Sequence, residues 1–147
     1  MTNSHIAEGL SHSAIRFNDK FLRKKAAEFI ASFIKMMFFG GDPARPNSFE
    51  HYNPLTGHPS IYRGIDDYQH SWIVDLIIKY VCGIRPGNTY ITVDPFPFGL
   101  EHVLVDDVIV CGRRLKVEIQ RDRFTVWCDG KKFSESRVGK SVLLNLA

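Results

Sequence analysis

The sequence predicts an α+β protein in which helices come first and an antiparallel sheet, or small sandwich, follows. Two stretches with apolar residues at helical spacing, residues 18–39 and 68–83, are followed after Pro86 by strict apolar/polar alternation. The change of period places the boundary at residues 85–88, between a helical part, residues 1–85, and a β-rich part, residues 88–147.

Each element has its own signal. Over residues 18–39 the apolar pairs Phe21/Leu22, Phe29/Ile30, Phe33/Ile34 and Met37/Phe38, with Ala26 in the gap, form one broad stripe that implies a deeply buried helix face. Asn18 is the expected N-cap, and Gly40-Gly41 followed by Pro43 is the expected stop. Upstream, Ile6, Leu10, Ala14 and Phe17 are spaced for a single face of a helix over residues 4–17. In "YQHSWIVDLIIKYVCG" the buried stripe is expected to be Trp72, Ile73, Leu76, Ile77 and Tyr80, with Gly83 as C-cap.

The strands follow. In "RLKVEIQ", Leu115, Val117 and Ile119 face one way and Lys116, Glu118 and Gln120 the other. "FTVWCDGKKF" predicts a hairpin turning at Asp129-Gly130, because that dipeptide accepts the turn that matches strand twist. Residues 90–93, 102–110 and 141–146 supply three further strands. Helices with such wide apolar faces exceed what a small sheet can cover, so exposed apolar surface, and self-association through it, are expected.

Composition narrows the function. A formal charge of +3 arises from 19 basic and 16 acidic residues scattered along the chain, with only Arg23, Lys24 and Lys25 clustered, which argues against nucleic acid as a partner. No apolar run reaches the length of a membrane span, and "MTNSHIAEGL" lacks the regions of a signal peptide, so a cytoplasmic location is the default expectation. Cys82, Cys111 and Cys128 are odd in number and form no CxxC pair, the pattern of buried free thiols rather than of disulfides or zinc ligands.

The long connection over residues 42–67 carries Pro43, Pro46, Pro54 and Pro59 with Gly57 and Gly64, a kind of loop usually kept for function. Within it Glu50 stands between Phe49 and His51-Tyr52, aromatic neighbours that could orient a carboxylate and exclude water. Tyr52, Tyr62, Tyr68 and Trp72, interleaved with Asn53, Asp66, Asp67, Gln69 and His70, have the chemistry of a sugar site: flat rings stack on pyranose faces and short polar groups bond hydroxyls. The alternative is that Trp72 belongs to the helix core and Asp66-Asp67 cap the next helix. His51, His58 and His70 follow no recognised ligand spacing, and no GxSxG occurs, so neither a metal nor a cofactor nor a serine nucleophile is expected.

At these residues a resemblance appears. "FEHYNPLTG", followed by "DYQHSWIVDLI", resembles the end of the catalytic domain in the (α/α)6-barrel glycoside hydrolases, the clan of processing α-glucosidases, mannosylglycerate hydrolases and trehalases. There a Glu-x-Tyr-Asn-Pro-x-Thr-Gly stretch lies between the last two barrel helices, and it matches here at Glu50, Tyr52, Asn53, Pro54, Thr56 and Gly57. The resemblance covers residues 3–85, and "VDPFPFGL" with the strands after it looks like the β-appendage of some relatives. It implies a partial (α/α)6 barrel, a carbohydrate substrate, inversion of configuration, and Glu50 as general base. Tyr52 and His51 are then candidates to orient that base, and the sugar-site chemistry read above makes Tyr52, Asn53, Asp67, Tyr68, His70 and Trp72 the expected sugar contacts.

Two departures accompany it. The family's general acid lies on an earlier hairpin, and Asp66 and Asp67 fall on the wrong side of the motif to replace it. The chain alone is therefore expected to be an inactive fragment that needs the upstream remainder of the barrel as partner. His70 stands where many relatives carry the tryptophan of a Phe-x-Trp-Ser element, which changes the stacking platform. The rival readings are a stand-alone carbohydrate-binding or interaction module, and a structural subunit that assembles through the stripe from Phe21 to Phe38.

Overall fold

In the computed structural model the described residues are 2–46, 49, 51–59 and 72–146, and the fold is α+β with a C-terminal antiparallel β region. The chain divides into two compact units, Met1–Leu76 and Ile77–Ala147. Residues 85–88, where the sequence period changes, thus fall inside the second unit.

The first unit begins with a helical hairpin, α1 (Thr2–Arg16) against α2 (Lys20–Met36). Its connection, residues 17–19, is longer than the sequence pattern suggested, and in it one residue closes the first helix and the next opens the second. Asn18 takes a left-handed φ of 49°, and the amides of Asn18 and Asp19 donate back to the carbonyls of Ile15 and Ala14 at 3.1 and 3.0 Å. That is a Schellman close. The N-cap of α2 is therefore Asp19, not Asn18: its carboxylate accepts from the Leu22 amide at 3.0 Å.

The buried face of α1 also differs from expectation. Ser4, Ala7, Ser11 and Ala14 are buried, whereas Ile6 and Phe17 are exposed. Small side chains permit a close approach to α2, whose buried positions are Ala26, Ala27, Ile30 and Phe33, and the larger residues are displaced to the flank. Phe21, expected in the buried stripe, is 65% exposed, and Phe17 is 68% exposed. Ammonium and guanidinium groups lie over both rings, Lys25 above Phe21 at 5.7 Å and Arg16 above Phe17 at 5.9 Å from the centroids. After Met36 the chain leaves the helix, three residues before the expected end, and turns through Phe39–Gly41, where Gly40 and Gly41 have φ of 66° and 78°.

Residues 60–71 lie outside the described set, and α3 (Trp72–Leu76) closes the first unit. The helical stretch then continues as a π-helical turn, Ile77–Val81, with the Cys82 amide bonded to the Ile77 carbonyl at 2.9 Å. Of the expected stripe, Leu76 and Tyr80 are buried and Trp72 is not. Among the described residues no helix is long and apolar enough to cross a membrane.

The second unit is two antiparallel sheets sharing one core. One has the order β1 (Ile84–Pro86), β2 (Tyr90–Val93), β7 (Val142–Asn145); the other is a meander of β3 (His102–Val110), β4 (Arg113–Gln120), β5 (Arg123–Cys128) and β6 (Lys131–Arg137). Ile84, Ile91, Val93 and Leu144 from the first sheet meet Leu115, Val117, Phe124 and Val126 from the second. The alternation read in "RLKVEIQ" is therefore the inside and outside of β4. Asp129 and Gly130 both have positive φ, 50° and 79°, as a tight two-residue hairpin turn requires. Of the three cysteines only Cys82 is buried; Cys111 is exposed in the β3–β4 turn and Cys128 is half-buried, so the expectation of three buried thiols is corrected.

One buried ion pair ties the start of this unit together. The Asp94 carboxylate, in a residue 3% exposed, accepts from Arg85 Nη2 at 2.8 Å. Nη1 of the same guanidinium donates to the carbonyls of Lys79 and Asp94 at 3.0 and 3.2 Å. Beside it the chain crosses itself at Gly83 (φ 79°), where a Cβ would lie 2.3 Å from the Pro95 nitrogen. No side chain fits there.

Removing one partner strands a buried charge, so Asp94→Ala is expected to cost about 3–5 kcal/mol. The double replacement Arg85→Met with Asp94→Leu is expected to cost less than that single change, and urea unfolding of the variants checks the order. A second expectation concerns alkaline pH. Burial pushes the Cys82 thiol up to about 11, above its value in the unfolded chain. Its contribution is intact below about pH 9 and is lost as the pH rises towards 11. Cys82→Ala should therefore flatten the fall in stability over that window by about 2–3 kcal/mol, read from denaturation midpoints against the parent.

Candidate functional site

The motif Glu-x-Tyr-Asn-Pro-x-Thr-Gly follows α2 and falls in a loop that its own side chains hold in shape. Asn53 does most of this. Its Oδ1 accepts from the amides of Leu55 and Thr56 at 2.8 and 3.1 Å, the short-range bonding for which asparagine is selected in turns. Backbone bonds close the loop on either side: the Asn53 amide donates to the His58 carbonyl and the Gly57 amide to the Asn53 carbonyl, both at 2.8 Å. Gly57 sits at φ 69°, a conformation that L side chains rarely adopt. Thr56 Oγ1 accepts from the His58 amide at 3.3 Å, so three motif residues serve one turn.

Tyr52 anchors the other end. Tyr52 and Pro59 form an isolated antiparallel bridge, and the Tyr52 hydroxyl accepts from the Phe49 amide at 3.0 Å while pointing at Met37 Sδ, 4.0 Å away. Burial raises the pKa of this hydroxyl, and the Phe49 N–H bond works against that rise. Tyr52 is thus a neutral phenol at physiological pH. The hydroxyl ties the Tyr52 side chain back to the Phe49 backbone.

A three-layer stack braces the loop against the turn that follows α2. The Arg45 guanidinium lies 4.3 Å from the centroid of Phe39, and the Phe39 ring stacks on His58 at 5.7 Å with 14° between planes. The Phe38–Pro46 bridge and the Phe39 amide bonded to the Arg45 carbonyl at 2.8 Å close the companion turn. Arg45 and Phe39 were not among the residues singled out from sequence. An arginine six residues from a phenylalanine across a Gly-Gly-Asp-Pro turn is a signal too generic to have found them.

Of the expected sugar-contacting residues, Tyr52 and Asn53 share this loop. Asn53 spends its carbonyl oxygen on the turn, which leaves its amide nitrogen as the end suited to a ligand. Trp72 stands at the start of α3, 39% exposed, with its ring edge-on to His5 of α1 at 5.5 Å and 74°. Glu50, Asp67, Tyr68 and His70 lie outside the described residues, as do Tyr62, Asp66 and Gln69. Among the described residues no group of three His, Cys, Asp or Glu side chains could hold a metal ion.

No protein-family model matches the chain, and no curated protein matches it. A solved structure described as a sialidase is similar in fold, with a TM-score of 0.68 at 18% identity over 96% of this chain. The chain spans 14% of that structure's length.

If the turn rests on Asn53 as an acceptor, Asn53→Ala should free the Leu55 and Thr56 amides and speed their hydrogen exchange, at a cost of about 1 kcal/mol. Asn53→Asp keeps the acceptor and should leave both amides protected.

Proposed function

We propose that the chain is the C-terminal part of an inverting glycoside hydrolase of the (α/α)6-barrel clan, with Glu50 as general base. The observation that carries this reading is the use the fold makes of the motif. Tyr52, Asn53, Thr56 and Gly57 are spent on holding one loop, which suits a stretch whose purpose is to present the residue beside it. A base must be positioned before its pKa matters. The likeness in fold to a structure named as a sialidase supports a glycosidase setting, and the share of that structure covered, 14%, agrees with a part that works within a larger protein.

In this reading Glu50 takes a proton from a water that attacks the anomeric carbon. An acid carried elsewhere in the barrel protonates the leaving oxygen, with the two carboxyl groups about 6.5–9.5 Å apart so that the water fits. The neutral Tyr52 hydroxyl holds the backbone of Phe49, the residue before the base in sequence. Trp72 offers a partly exposed ring for stacking, and Asp67, Tyr68 and His70 supply groups for hydroxyls. The substrate is an α-linked glucoside or mannoside.

The test uses the full-length polypeptide that carries this sequence, assayed on a panel of glycans beside Glu50→Gln. Loss of an essential base lowers turnover by about three orders of magnitude. Hydrolysis untouched by the substitution would reduce the motif to a structural remnant and favour a carbohydrate-binding module instead.

A further inference from the structure

The outer face of the β3–β6 sheet has a built character that its part in the core does not require. Because Leu115, Val117 and Ile119 of β4 and Phe124 and Val126 of β5 point inward, Lys116, Glu118 and Gln120 stand outside beside Trp127, Thr125 and Arg123. The register pairs them directly: Lys116 with Trp127, Glu118 with Thr125, Gln120 with Arg123. Trp127 is the large aromatic of this row, half-buried, with the Lys116 ammonium 5.2 Å from its ring centroid. It borders a depression of about 310 Å³ that Asp106 and Arg114 also line, and Gly130 leaves the end of the depression open.

A bulge builds one wall of it. Val105 pairs with Val117 and Val108 with Leu115, so β3 carries one extra residue at Asp106-Asp107, and Asp107 sits at φ 61°. The extra residue returns Val108 and Val110 to the core side and puts both carboxylates on the surface. Asp107 then reaches Arg114 at 2.6 Å and Asp106 reaches Lys116 at 3.7 Å. A second depression of about 150 Å³ continues along the same strands between Glu118, Arg123 and Glu135.

Charge decides what such a face can hold. Most of the charge here is paired: Lys116 with Asp106, and Arg123 and Lys132 with Glu135, while the His102 ring lies 3.0 Å from Glu118 and Arg137 stands opposite Arg123. A polyanion gains little from cations already paired, and an apolar partner would strand the charges. An uncharged polyol suits them, because paired carboxylates and cations keep spare acceptors and donors for hydroxyls while the indole stacks on a sugar ring. From Trp127 to Arg123 is four residues of strand, about 13 Å.

We infer that this face binds a neutral oligosaccharide, stacked on Trp127 and lying along β4 and β5 over about two to three sugar rings. This face belongs to the second unit, whereas the Glu50 motif lies in the first unit's sequence, and the inference rests on the carbohydrate reading for its ligand class. It holds a glycan chain and performs no chemistry on it.

The experiment is calorimetric titration of the full-length polypeptide with hexasaccharides of α-glucan, α-mannan and β-glucan, with heparin as the anionic control. One of the neutral hexasaccharides binds, Trp127→Ala weakens it at least tenfold, and Trp127→Phe, which keeps a ring, recovers part of the loss. Glu50→Gln removes hydrolysis and leaves the Trp127-dependent affinity, so the two readings fail separately. Far-UV circular dichroism and melting of Trp127→Ala confirm the fold. Unchanged affinity in a folded Trp127→Ala, binding of heparin alone with loss in salt, or no binding of any hexasaccharide overturns the inference.

Discussion

The second unit depends on one buried charge being answered. Asp94 is 3% exposed, and an unpaired carboxylate at that depth would be untenable. Arg85 answers it and, with its remaining donors, bonds the Lys79 carbonyl within the π-helical turn and the Asp94 carbonyl itself. One planar guanidinium thus joins the helical entry, β1 and the segment after β2, a task that needs its fixed fork of donors. Gly83 makes the join possible by leaving no Cβ where the Asp94-Pro95 backbone passes. The chain can then run through β1 and β2 and out to the meander.

How much of this was legible depends on which force acts locally. Strands β2, β3, β4 and the Asp129-Gly130 turn were readable because alternation and turn chemistry are short-range, and the sandwich core uses the alternation directly. The helices were legible as helices but not in their faces. Size, not hydrophobicity, selects the buried side of α1: Ser4, Ala7, Ser11 and Ala14 let α2 approach, and Ile6 and Phe17 would hold it off. The Asn18/Asp19 exchange of roles has the same origin, since both residues cap well and only the left-handed φ of Asn18 decides which helix each serves. The Arg85–Asp94 pair was invisible because a nine-residue separation across the β1–β2 hairpin has no sequence signature.

The candidate site divides similarly. The Pro/Gly-rich loop and its motif stood out from residue types alone, and the structure gives Asn53, Thr56 and Gly57 physical employment in one turn. Asn53, expected to contact a sugar, uses its carbonyl oxygen to hold two amides of the turn. The Arg45–Phe39–His58 stack shows the converse: residues without a motif can determine how firmly a loop is held. In the proposed role firmness matters, because a base that moves by an ångström loses much of its effect.

The proposed account stands on Glu50 acting on water rather than on the sugar itself. The most direct test follows the anomeric proton signals of freshly released product by NMR, using the full-length polypeptide and an α-linked substrate, before mutarotation mixes the anomers. The account predicts that the β-anomer appears first. Initial release of the α-anomer would contradict it, because retention requires a nucleophilic carboxylate in place of a base.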